Sequence, residues 1–245
     1  MSRGFDLHAT EVSLSATLGF ADFVVDGFYR NDWNLWDNFW NDKKPEIMPR
    51  LHKPHQWTVL HVWLKYCHDI YVDIMHKEAV AQNFPTYVEI HHKRKIKADT
   101  QKNDWEDAEK IFIHSTFHLL FYNRRFLREF NLKLAEHVRD NITSLLADTT
   151  YKSYFENGKF KRNTDYSWVR DGIHYRESYR CPLCSCDLTV KNKLKKPNLD
   201  HIVSIYDFGS NDPTNLQYLC HVDNGKKCTG NNTNNEYVFI WDLEE

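Results

Sequence analysis

The chain has 245 residues, 41% of them apolar, and a formal net charge of −2. That length suits one or two domains with a buried core, and the near-neutral charge excludes a global electrostatic grip on nucleic acid, so any such grip has to be local. Asp, His or Lys interrupts every apolar run, and the opening Met1-Ser2-Arg3-Gly4-Phe5-Asp6 lacks a basic-then-apolar leader pattern. Both observations argue against a membrane span and favour a cytoplasmic protein.

From Ser13 to Trp40 the positions Leu18, Ala21, Val24, Val25, Phe28, Trp33, Trp36 and Trp40 recur at intervals near three and four. That spacing predicts an amphipathic helix, broken near Gly27 or Asn31, with its rings in a core; the alternative use for such rings is a base-stacking surface. Pro45 to Pro54 is expected to be a linker. Gln56 to Glu78 predicts a second helix with Trp57, Leu60, Leu64, Cys67, Ile70, Tyr71 and Ile74 on one side, and Cys67 as a buried thiol. His61, His68 and His76 are spaced too widely to share one metal.

Val88 to Lys97 predicts a short strand running into a basic stretch, either a solvated edge or a phosphate contact. Asn103-Asp104-Trp105-Glu106 is a capping-box signature for a helical region reaching about Asp148 and breaking once, near Tyr122-Asn123 or Asn131. His114 and His118 are four apart, a chelating interval, but they lack the intervening Glu of an H-E-x-x-H frame and read as ordinary helix residues.

After Thr150 the pattern changes from helix to hairpin. Asn157-Gly158 marks one tight turn, and Asp171-Gly172 within Trp168 to Tyr175 predicts a second. Lys and Arg concentrate between Tyr151 and Asp200, Lys195 and Lys196 among them, which is where a backbone-binding face is expected. Tyr237 to Trp241 reads as a closing strand. The fold class expected is α+β: a mostly helical domain over 1–150, then a β-hairpin-rich domain over 151–245.

Six cysteines, four of them between 181 and 220, suggest a metal knot in place of a disulfide framework. Cys181-Pro182-Leu183-Cys184 is a C-x-x-C pair suited to tetrahedral Zn²⁺, and Cys220 supplies a third thiolate. Cys228 is favoured as fourth ligand for its sulfur; Asp223, three residues after Cys220, is the alternative.

Asp200-His201-Ile202, Asn215-Leu216-Gln217-Tyr218-Leu219-Cys220 and Asn224-Gly225-Lys226-Lys227, preceded by that C-x-x-C, resemble the HNH nucleases with a ββα-metal core over the last quarter of the chain. Where relatives that carry zinc have a second C-x-x-C, this chain has Asp223. The resemblance implies a zinc-braced nuclease domain with His201 as general base and Asp200 and Asn224 as ligands of Mg²⁺ or a similar ion. It also implies that Asn215 ties the loop to the first strand and orients His201. Lys226 and Lys227 become candidates for phosphate contact beside Lys195 and Lys196. The activity implied is hydrolysis of DNA phosphodiesters, in anti-phage defence or restriction, with other proteins of a defence system as partners. RNA cleavage, or a zinc-knuckle module that binds nucleic acid without cutting it, is the competing expectation.

Overall fold

Apolar residues at helical spacing account for most of the structure, a computed structural model that describes residues 14–30, 35–82, 102–163, 166–189, 197–231 and 233. The helices are α1 (Leu14–Arg30), α2 (Leu35–His52), α3 (Val59–Gln82), α4 (Lys102–Phe121), α5 (Arg124–Asp140), α6 (Ile142–Ala147), α7 (Ser167–Arg176) and α8 (His221–Lys227). Two antiparallel pairs accompany them: β1 (Phe155–Glu156) with β2 (Lys159–Phe160), and β3 (Asn198–His201) with β4 (Leu216–Leu219). Helices with small antiparallel sheets make the chain α+β, as expected. No helix among the described residues is long and apolar enough to cross a membrane.

The chain divides into two compact units, Met1–Asn41 with Leu60–Leu120, and Asp42–Val59 with Phe121–Glu245. That division differs from a single cut at 150, because residues from 42 to 59 and from 121 to 150 bury their apolar side chains with the strand-bearing part of the chain. In the first unit Phe20 meets Tyr71 and Phe112 at ring-centroid distances of 5.3 and 5.2 Å, and Trp63 meets Trp36 and Phe39, both at 4.9 Å. Trp36 and Trp40 are buried, so these two rings fill a core and are not available to stack on a base. Cys67 is fully buried as expected, and burial pushes its thiol well above its ordinary range.

In the second unit α5 buries Phe126, Leu127, Phe130, Leu134 and Val138 along one face. Its Asn131 side chain donates to Leu127 O (2.8 Å) and to Thr214 Oγ1 (3.3 Å), tying the helix to the Pro213–Asn215 turn. The expected break at Tyr122-Asn123 is present, with Asn123 capping α5 by accepting from Phe126 N. A second break follows at Asn141, while Asn131 stays within the helix.

Two expectations are corrected. Pro45 and Pro49 lie inside α2 and not in a linker. An interior proline costs about 3 kcal/mol, but Pro45 is exposed and Pro49 half-buried, whereas Ile47, Met48 and Leu51 are completely buried. Burying three large apolar side chains at about 1.5–3 kcal/mol each offsets the lost ladder bonds. Trp168 to Tyr175 is the helix α7, not a hairpin: Val169, Ile173 and Arg176 are buried at four- and three-residue spacing, and Gly172 faces open space. A glycine there costs about 1 kcal/mol of helix propensity, which burial outweighs.

The Asn157-Gly158 turn is as expected. Both residues take positive φ, 50° and 73°, joining Phe155↔Phe160 and Glu156↔Lys159. The basic stretch 88–97, Lys195, Lys196 and the strand expected at 237–241 lie outside the described residues. In the loop between β3 and β4, a Cβ on Gly209 would stand 1.9 Å from Val203 O. Gly209→Ala should therefore force the loop open and cost roughly 3 kcal/mol, the upper range for overpacking; a melting temperature equal to the parent's would contradict the tight approach.

Candidate functional site

β3, the loop 202–215, β4 and α8 form a ββα unit in which α8 packs on both strands. The register pairs Asp200 with Gln217 and His201 with Leu216. Asn215 closes the loop. Its Nδ2 donates to Val203 O (3.0 Å) and Ser210 O (2.8 Å), and its Oδ1 accepts from Val203 N (2.8 Å). These bonds close the loop on itself and do not reach β3, and the side chain that meets the His201 ring is another.

That residue is Asn211. His201 Nε2 lies 3.2 Å from Asn211 Oδ1. The Asn211 amide cannot be reversed without losing bonds, since Nδ2 donates to His52 O and Lys161 O, both at 2.8 Å, and Oδ1 accepts from Asn163 N at 3.1 Å. An oxygen therefore faces the ring, and Nε2 must carry the proton. Nδ1 is left with a lone pair and no hydrogen-bond partner among the described residues. Burial, then Arg162 and Lys227, against the opposing Asn211 bond, hold His201 down at about 3, so the ring is neutral at neutral pH. Nothing in the sequence distinguished Asn211 from the other turn-forming residues around it.

Asp200 and His201 line a cleft of 490 Å³ together with Lys159, Lys161, Arg162 and Tyr206. The β1–β2 hairpin brings these cations in, and Lys159 Nζ rests 3.1 Å from the centre of the Phe208 ring, docking the hairpin on the β3–β4 loop. The expected concentration of positive charge next to Asp200 is thus present, carried by residues that were not singled out. Lys227 is corrected. Its side chain is 1% exposed, with Nζ 2.9 Å from Asp200 Oδ2 and donating to His201 O at 2.7 Å, so it braces the strand and offers nothing to a phosphate outside. Lys226 is exposed. Gln217 Nε2 also donates to Asp200 Oδ2, at 3.1 Å. Asn224 lies half-buried on α8, one helical turn from Lys227, and is not among the residues lining the cleft.

The second centre is a cluster of Cys181, Cys184, Cys220 and Asp223, whose ligand atoms all lie within 4.8 Å of one another. Cys184 and Cys220 sulfurs are 3.8 Å apart, and Asp223 Oδ2 is 3.2 Å from the sulfurs of both Cys181 and Cys220. A tetrahedron with Zn–S bonds of about 2.3 Å has S···S edges of about 3.8 Å, so the cluster fits a tetrahedral ion. Asp223 is the fourth member, and Cys228 is not in the cluster: it is exposed, with Sγ 2.8 Å from Gly225 O, and lines the cleft instead. The geometric reason is helical period, since Asp223 lies in the first turn of α8, which Cys220 caps by accepting from Asp223 N at its sulfur (3.4 Å), while Cys228 lies past its end. Burial raises the Cys181 and Cys184 thiols, and three thiols donating to Asp223 outweigh its burial and lower its carboxyl. A metal would replace those thiol protons.

The ββα unit is further held by α7. The His174 ring stacks on Tyr218 at 3.8 Å and 9°, and the buried Arg176 pairs with Glu177 and donates to Leu216 O. Arg124 closes this group by pairing with Glu177. No protein-family model, no curated protein and no solved structure matches the chain.

Proposed function

We propose that the chain is a metal-dependent endonuclease of the HNH kind, hydrolysing DNA phosphodiester bonds at the cleft that contains Asp200 and His201, with Zn²⁺ bracing the Cys181, Cys184, Cys220 and Asp223 cluster. The observation that carries this reading is a neutral imidazole, locked as the Nε2–H tautomer by Asn211, beside a carboxylate and three cations in one cleft. His201 Nδ1 accepts the proton of the attacking water. Lys159, Lys161 and Arg162 hold the phosphodiester and offset the charge that gathers on its oxygens. Arg162 depresses His201, so an anion bound beside Arg162 raises the base toward its working range.

Mg²⁺ sites are often completed by substrate phosphate and water around one or two protein carboxylates, and Asp200 supplies one. Asn224 is the second oxygen donor in this reading. Held there, such an ion would supply Lewis-acid stabilisation of the departing 3′ oxygen. Incubating supercoiled plasmid with the protein and Mg²⁺ should give nicked or linear product that EDTA suppresses; intact plasmid under both conditions would dismiss the enzyme.

A specific observation favours a second reading. Lys227 already neutralises Asp200, and Asn224 stands outside the cleft lining, as suits a zinc module that holds nucleic acid without cutting it. Under that reading, plasmid is retarded and never cleaved, and an RNA-cleaving enzyme would be recognised by degradation of RNA alone. Defence against phage in the cytoplasm, with other proteins of a defence system as partners, remains the biological setting proposed.

Asn211 provides a sharper test of the base. Asn211→Leu should lose about 10²-fold of cleavage, most of what a positioned base contributes, and free the ring from the Nε2–H tautomer in nitrogen NMR spectra. Asn211→Asp keeps the acceptor and should keep the tautomer. Unchanged ring signals in both variants would remove Asn211 from this role.

A further inference from the structure

In the first unit α3 and α4 bring three imidazoles into a row. His61 Nε2 lies 3.1 Å from His114 Nδ1, and His114 Nε2 lies 3.1 Å from His118 Nε2. His61 is buried and stacks on Phe117 at 3.8 Å, whereas His114 and His118 are exposed on successive turns of α4. With no metal bound, the 3.1 Å contact of the His114 and His118 Nε2 atoms is a hydrogen bond between the two rings, and among the described residues no carboxylate pairs with either.

We infer that His114 and His118 form a binding site for a divalent late transition-metal ion such as Zn²⁺, with His61 as the group that fixes the His114 ring. With metal–nitrogen bonds of about 2.0–2.1 Å, two imidazoles on one ion place their nitrogens about 2.9–3.4 Å apart, which includes the distance found. An interval of four residues sets two histidines on one helix face, the chelating arrangement of metal-binding helices. A ligating histidine ordinarily donates its other ring N–H to a fixed acceptor, and here His114 Nδ1 faces His61 Nε2.

Imidazole donors select zinc, nickel or copper over magnesium, and water completes the coordination on the exposed side. The other cluster of this unit, His68, Asp69 and Glu109, lacks that opening. Lys65 Nζ already lies 2.9 Å from Glu109 and 3.6 Å from Asp69, and the His68 contact followed by Lys65 lowers Glu109 to about 2.

The test is equilibrium dialysis of the full chain against Zn²⁺, counting bound ions per chain. The parent should hold one ion more than His114→Ala and one more than His118→Ala; both positions are exposed, so neither change disturbs the core. His61→Leu should keep that ion but bind it about 10- to 100-fold more weakly. Cys181→Ser is a separate arm that reports on the other cluster alone, and the nuclease assay is not involved. Equal zinc counts in the parent and in both α4 variants would overturn the inference.

Discussion

His201→Ala is expected to lower plasmid cleavage by about 10²- to 10⁴-fold, the contribution of a positioned general base, while leaving binding to the same plasmid within a few-fold. The expectation follows from the hydrogen-bond pattern around the ring. Asn211 fixes the proton on Nε2, and Nδ1, buried and without a hydrogen-bond partner among the described residues, is the nitrogen that keeps a lone pair. Because the ring is 2% exposed, its loss also leaves a cavity, and the variant should melt lower than the parent. Zinc content and plasmid retardation measured on the same sample separate loss of chemistry from loss of fold. A folded variant that cuts as fast as the parent would exclude His201 as the base, whereas binding without cleavage in the parent itself would leave the zinc-module reading.

Cys181→Ser should empty the cluster of metal and destabilise the second unit by several kcal/mol, since structural zinc contributes its binding energy to folding. The cluster joins two separated pieces of chain: the turn at Cys181–Cys184, and the stretch from Cys220, just past β4, to Asp223 in the first turn of α8. Without the ion, three thiols and a carboxylate would be packed together with only hydrogen bonds between them. Cys228→Ser separates the two candidates for fourth ligand. It should leave the metal content unchanged, and Asp223→Ala should lower it. Zinc lost on changing Cys228 and kept on changing Asp223 would reverse the assignment. A parent free of zinc, with a melting temperature insensitive to chelator, would remove the brace altogether.

Local pattern made several features legible before any coordinates. Asn157-Gly158 announces its turn because few residues other than Asn and Gly accept positive φ at both positions. The break at Tyr122-Asn123 is announced by a capping asparagine, and Cys67 by its apolar neighbours. Asp171-Gly172 and Pro45 with Pro49 misled for one reason. Each is a strong local signal for leaving a helix, and each was overruled by burial of residues four apart, Val169 with Ile173 and Ile47 with Leu51.

Residue type and spacing alone revealed a neighbouring carboxylate and imidazole on a short strand, a cysteine pair with a third thiolate, and cations crowded into the stretch before them. Which of these groups meet depended on how distant segments pack. That packing placed Asn211 on the ring, Lys227 on Asp200, Asp223 among the cysteines, and the hairpin cations beside His201. Residue type and spacing report what a side chain can donate, accept or ligate, and helical or strand period reports which face it shares. Contacts such as His61 with His114, or Lys161 with Asn211, depend on how separate segments pack, and that is set by burial summed over each whole unit.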